Sequence, residues 1–320
     1  MRPSFALLAA LAVLIVGAMP AAYAQDWPTR AVKVIIPFPP GGSNDAAARP
    51  FAEKLSQKFG QQFVLEHRVG ATGAIGMEAV ARAAPDGYTI TITAAPSVVA
   101  VPALRKLPYK PFEDLAPVGR NALLGLVVAV NPALGVNSYQ ELVAAAKRQP
   151  GKLHTGTAGI GSLAHFTNVY LNQVAGMDIV AVPYRGSAEA MNDMLAGHVQ
   201  VFHDGIVLPH VRAGKAKLLV YIDDQRHPDH PDVPTMKEIY PDWPIYAWFG
   251  TMVPAATPKA IVDRLSSALN EIAATQEMKD KLLPFALRPI TDSPESMRAL
   301  ITREAAIYRG LAEKYAIKVE

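Results

Sequence analysis

Two short stretches carry residue types that hold anions: Pro37-Phe38-Pro39-Pro40-Gly41-Gly42-Ser43-Asn44-Asp45-Ala46 and Gly156-Thr157-Ala158-Gly159-Ile160-Gly161-Ser162-Leu163-Ala164-His165. Glycines let successive backbone N–H groups converge, a Ser or Asp caps a helix, and the helix dipole adds partial positive charge. Each stretch therefore reads as an anion nest, and two nests suggest a ligand with two negative ends. Any one of these glycines taken alone is more commonly a turn residue; the matched pair carries the reading.

Other chemistries fit less well. Ser162 and His165, three apart, could share a helical face, but a hydrolase also needs an orienting acid and oxyanion donors. The chain has no Gly-x-Ser-x-Gly elbow, no His-Glu-x-x-His pair, no Gly-x-x-x-x-Gly-Lys loop and no Cys. A serine hydrolase using Ser162 is thus the lesser alternative. His227-Pro228-Asp229-His230-Pro231-Asp232 alternates imidazole and carboxylate, yet with two prolines it reads as a structural loop rather than a metal site. No cofactor is expected.

The elements that must position the two nests follow from periodicity. Val32 to Ile36 and Lys152 to Gly156 read as the strands that feed them, and Ala-rich helical patterns follow each. Ala48, Phe51, Ala52, Leu55 and Phe59 sit at helical spacing and stop at Gly60, with Pro50 expected to bend the segment. Further strands are expected at 63–66, 89–93, 127–130 and 218–221, and helices at 76–83, 138–148, 163–174, 187–196, 259–275, 276–283 and 294–315. This alternation predicts an α/β protein with mostly parallel sheets. The Pro-rich stretch from Tyr240 to Pro258 reads as chain returning between domains.

Arg2, the apolar run Phe5 to Val16, Pro20 and Ala22-Tyr23-Ala24 form the pattern of a cleaved secretory signal peptide over residues 1–24. The run is shorter than the roughly 20 apolar residues needed to span a bilayer. Without cysteine there is neither a lipid-anchor thiol nor a disulfide framework, so a soluble exported protein of a bacterial periplasm is expected. The remaining length suggests two domains. The net charge is only +3 and the basic residues are scattered among acidic ones, which argues against nucleic acid or anionic membrane as partner.

Several motifs together resemble one family. Asp26-Trp27-Pro28-Thr29-Arg30, the first nest preceded by Val34-Ile35-Ile36, Ala83-Ala84-Pro85-Asp86-Gly87-Tyr88-Thr89, Val182-Pro183-Tyr184-Arg185-Gly186-Ser187 and Arg212-Ala213-Gly214-Lys215 are similar, in order, to the Bug family. These are the periplasmic solute receptors of tripartite tricarboxylate transporters. The resemblance implies a two-lobed periplasmic binding protein fold of type II kind, hinged, with the ligand in the cleft. Lobe 1 is expected from residues 25–124 and 249–320, and lobe 2 from 125–248. It implies a monomeric receptor that hands a small carboxylate, in the preferred reading a dicarboxylate, to membrane subunits of the transporter. A sensor protein is the alternative partner.

On the family pattern, Phe38, Gly41, Gly42, Ser43, Asn44 and Asp45 form one jaw, and Ala158, Gly159, Gly161, Ser162 and His165 the other. A carboxylate at Asp45 would repel an anion unless it turned into its own loop, so it is read as ordering the nest. Thr93 either lines the cleft through its hydroxyl or is an ordinary strand residue. Gly186 and Ser187 are candidate donors, whereas Arg185, where the family usually has Lys, is read as a surface ion pair. Asp204 matches an acidic position that pairs with a ligand ammonium in amino-acid-binding members. The sequence departs from the pattern at His203 and Gly205, in place of an apolar residue and Asn, and at His67 and Ala74, where Asn is frequent. Tyr246, Trp248 and Phe249 are expected to pack rather than to stack on an aromatic ligand.

Overall fold

The computed structural model describes residues 27–317. The signal peptide expected over 1–24 lies outside the described residues. Chain order is β1 (Val32–Ile36), α1 (Ser43–Phe59), β2 (Phe63–His67), α2 (Ala74–Ala81), β3 (Thr89–Ala94), α3 (Ala95–Val99), α4 (Val101–Leu104) and β4 (Leu115–Leu124). Then come β5 (Leu126–Val130), α5 (Tyr139–Arg148), β6 (Leu153–Thr157), α6 (Leu163–Ala175), β7 (Ile179–Pro183), α7 (Ser187–Ala196), β8 (Val201–Phe202), α8 (Leu208–Arg212), β9 (Lys217–Ile222) and α9 (Met236–Ile239). The return consists of β10 (Ala247–Pro254), α10 (Lys259–Ala273), α11 (Gln276–Leu282), β11 (Leu287–Pro289) and α12 (Pro294–Lys314).

Two sheets result, each the floor of a lobe. The first has strand order β11-β4-β10-β3-β1-β2 and the second β7-β6-β8-β5-β9. Their mixed pairing corrects the expectation of mostly parallel sheets. β1 pairs parallel with β2 and β3, but β10 is antiparallel to both β3 and β4, and β11 to β4. In the second sheet β6 pairs parallel with β7 and β8, while β5 is antiparallel to β8 and β9. The reason is the lobe crossing: β4 runs out through Gly125 into β5, so the strand that comes back must lie against it in the opposite sense.

That returning strand, β10, is the largest correction. Its eight residues, Ala247–Pro254, are all buried in the middle of the first sheet, where the sequence reading placed only connecting chain. A strand covered on both faces loses the alternation that marks a half-buried one. Trp248 is core: its Nε1–H donates to Glu304 Oε2 of α12 at 2.8 Å. α1 runs unbroken through Pro50, at the cost of the bond to the Ala46 carbonyl that an N–H there would make.

The crossing is crowded. A Cβ on Gly125 would lie 2.1 Å from the Tyr221 hydroxyl, and one on Gly205 would lie 2.5 Å from both the Gly125 carbonyl oxygen and Ala286 Cβ. Gly205, the departure from Asn noted above, thus has a packing cause: the junction of the lobes leaves no room for a side chain.

Candidate ligand-binding site

Three helices start at the facing edges of the two lobes, because three strands end there. β1 delivers the first nest, with Gly42 as N-cap of α1; β6 delivers the second, with Ser162 as N-cap of α6; β7 leads to Gly186, the N-cap of α7. All three N-termini approach one cavity between the lobes, of about 50 Å³, which is where open α/β sheets bind ligands. Phe38, Gly42, Ser43 and Asn44 line it from the first lobe, and Ala158, Ser162, Ser187 and Asp204 from the second.

The lobes touch across this cavity. Ser43 Oγ donates to Asp204 Oδ2 at 2.8 Å, the Ser43 N–H donates to Ser187 Oγ at 3.2 Å, and Thr72 Oγ1 donates to the Ile160 carbonyl at 2.8 Å. The conformation is therefore closed. Asp204 is buried, and burial raises its pKa above the ordinary carboxylate value, against hydrogen bonds from the Ile206 N–H and the Ser43 and Ser187 hydroxyls.

Of the binding candidates named from the sequence, Gly41, Asp45, Thr93, Gly159, Gly161, His165 and Gly186 do not line this cavity. Asp45 turns into its own loop: its carboxylate accepts from the Gly41 N–H at 3.2 Å, pairs with Arg49 at 2.9 Å and faces His67 Nε2 at 3.2 Å. His67 Nδ1 meets the Phe38 carbonyl at 2.8 Å, so this departure from the family pattern rebuilds the polar support of the first nest. Thr93 is buried in β3 beside the cavity-lining Ala94, and its hydroxyl has no protein partner among the described residues. The Gly161 N–H donates to His165 Nδ1 at 3.4 Å, and the His165 N–H to Ser162 Oγ at 3.3 Å. Ser162 and His165 are thus joined as a helix cap rather than as nucleophile and base.

The glycines have a use that sequence reasoning missed. A Cβ on Gly42 would lie 2.9 Å from Ser187 Oγ, one on Gly186 2.8 Å from Pro39 Cδ, and one on Gly161 2.6 Å from Leu104 Cδ1, each across the lobe boundary. They are places where one lobe touches the other. Also missed was the apolar wall: Ala94, Pro96, Leu124, Leu126, Leu163, Phe202 and Phe249 complete the cavity. Phe249 was expected only to pack. The usable signal was position, since these residues lie at or near strand ends that face the cleft.

A family model for the tripartite tricarboxylate transporter family receptor matches residues 47–316. The chain belongs to this receptor family. Protein BugT of Bordetella pertussis is 33% identical over 321 residues, covering 98% of either chain. Rpa4515 of R. palustris, solved with adipate, superposes with a TM-score of 0.87 at 31% identity, covering 91% of this chain and 99% of its own. MatC from Rhodopseudomonas palustris with bound malate gives 0.82 at 27% identity, covering 89% and 99%. Members of the family are periplasmic solute receptors without enzymatic activity, which sets the hydrolase alternative aside.

Among the described residues no helix is long and apolar enough to cross a membrane, and no group of three His, Cys, Asp or Glu could hold a metal. Within the 227–232 loop, Asp229 pairs with Arg212, and the His227 and His230 rings lie 5.5 Å apart.

Two imidazoles of the receptor are held neutral. Burial pushes His165 and His203 down to about 4 from an ordinary value of 6.5. With the folded value below the unfolded one, the unfolded chain binds more protons between pH 6.5 and 4, so stability falls as pH drops through that window. Asp204, shifted upward, works in the opposite sense. Thermal melts from pH 7 to pH 4.5 should show a declining midpoint, and His203→Leu should flatten the decline relative to wild type. An identical decline in the variant would remove His203 from the account.

Proposed function

We propose that this receptor captures a small carboxylate, in the preferred reading an aliphatic or aromatic dicarboxylate, and delivers it to the membrane subunits of a tripartite transporter. It would act as a periplasmic monomer after removal of residues 1–24, with lobes formed by 25–124 plus 249–320 and by 125–248. The observation that carries the reading is the convergence of the α1, α6 and α7 N-termini on one apolar-walled cavity. Aligned N–H groups and hydroxyls favour a carboxylate there, and exclusion of water strengthens them. The adipate and malate bound by relatives support the same class.

A refinement rests on Asp204 and Asn44. Asn44 Nδ2 donates to the Ile92 carbonyl, which leaves its buried Oδ1 without a protein partner among the described residues. Two acceptors in one cavity favour a ligand that carries a donor, a hydroxyl or an ammonium, beside its carboxylates. A receptor for a sensor protein would perform the same capture; loss of uptake in a deletion strain selects transport, and loss of induction with uptake intact selects sensing.

The test is calorimetric titration of ligand-stripped protein with succinate, adipate, malate, phthalate and aspartate, alongside thermal shift. A selective response is expected, with stabilisation of about 2.7 kcal/mol at a ligand concentration 100 times Kd. Folded protein that is silent to the whole panel would overturn the carboxylate reading.

A further inference from the structure

A second pocket, of about 430 Å³, opens at the mouth of the cleft and shares Phe38 and Ala158 with the inner cavity. Both lobes build it: the Thr72 to Ile160 hydrogen bond joins its walls, and each lobe contributes one arginine. Arg105 follows α4 on the first lobe and is half-buried; Arg185 lies between β7 and α7 on the second and is exposed. No Asp or Glu lines the pocket. Among the described residues neither guanidinium makes an ion pair. Glu189, the nearest acid along the chain, accepts from the Arg185 backbone N–H instead. The sequence reading of Arg185 as a surface ion pair therefore does not hold in this structure.

The inner cavity is small. At about 50 Å³ it has room for a few waters, or for one carboxylate-sized group, on the scale of roughly 10–15 Å³ per water. A ligand with a longer body must extend from it, and the mouth pocket is the adjoining space with uncompensated positive charge. We infer that the mouth pocket is a second anion subsite, assembled by closure, in which Arg105 and Arg185 hold the distal anionic group of the ligand while the proximal carboxylate occupies the inner cavity. This rests on the carboxylate reading above and deepens it: the preferred ligand has two anionic ends, and the body that joins them passes Phe38 and Ala158. Because the arginines come from opposite lobes, the distal group also bridges the lobes and favours the closed state by its own binding energy.

The test compares adipate with hexanoate, which has the same chain length and lacks the distal charge, on wild type, Arg105→Gln, Arg185→Gln and the double variant. Each single substitution is expected to weaken adipate about tenfold, as for a hydrogen bond to a charged group, and to leave hexanoate within about twofold. Unchanged adipate affinity in the double variant overturns the subsite while leaving the carboxylate reading intact. Equal loss for both ligands also overturns it, since the arginines would then act only as a long-range field. If wild type binds neither these probes nor any carboxylate of the panel, the carboxylate reading fails and the subsite falls with it. Arg185 is exposed and its substitution leaves the fold in place, so at least one arm reports on binding alone.

Discussion

Gly186→Val should weaken ligand capture by roughly 5- to 150-fold, while both lobes remain folded. Gly186 has φ −166° and ψ 169°, extended backbone open to any residue, so a valine meets no local strain. What it meets is the opposite lobe: the Cβ alone would lie 2.8 Å from Pro39 Cδ and 3.0 Å from Cγ. Overpacking of this kind costs about 1–3 kcal/mol within a core. Here the cost falls only on the closed state, and the open state carries none of it. Ligand affinity, which depends on closing, should therefore drop without a matching fall in unliganded stability. The measurement is calorimetric affinity with small-angle scattering to follow lobe separation; Gly310→Ala, at a helix position with nothing within 4 Å, is the control. Wild-type affinity in Gly186→Val would mean that closure as seen here is not the binding-competent state. Gly161 would be a poorer probe, because its φ of +84° strains any side chain before closure is tested.

Asp204→Asn should separate the two classes of ligand in opposite directions. For a dicarboxylate with no donor group, the buried Asp204 carboxylate is a like charge in the cavity, and its neutralisation should leave affinity equal or tighter. For a ligand with an ammonium or hydroxyl directed at Asp204, loss of a charge-assisted hydrogen bond should cost about 1.5–3 kcal/mol, roughly 10- to 150-fold. Asparagine retains an oxygen to accept from the Ser43 hydroxyl, which now donates to Asp204 Oδ2 at 2.8 Å, so the lobe contact survives. Adipate and aspartate titrations on both proteins make the comparison. Parallel losses for the two would assign Asp204 to closure rather than to selection.

The sequence by itself determined the α/β class, the strand-to-helix junctions at Gly42, Ser162 and Gly186, and the family. Each of these rests on local physics: glycine and serine chemistry at helix starts, apolar periodicity in the helices, and motif order along the chain. The helices at Ser187–Ala196 and Pro294–Lys314 were legible for that reason. Only the tertiary structure decided what depends on contacts between distant segments. β10 was hidden because burial on both faces erases period-two alternation, and β4 with β10 turned the first sheet mixed. Asp204 could be named as a candidate, but its burial against Ser43, 161 residues away, could not. The glycines were read as donors of N–H groups, yet Gly42 and Gly186 have as their neighbours Ser187 and Pro39 from the other lobe. Arg105 and Arg185 come to one mouth for the same reason: the lobes bring them there, and spacing along the chain carries no trace of that meeting.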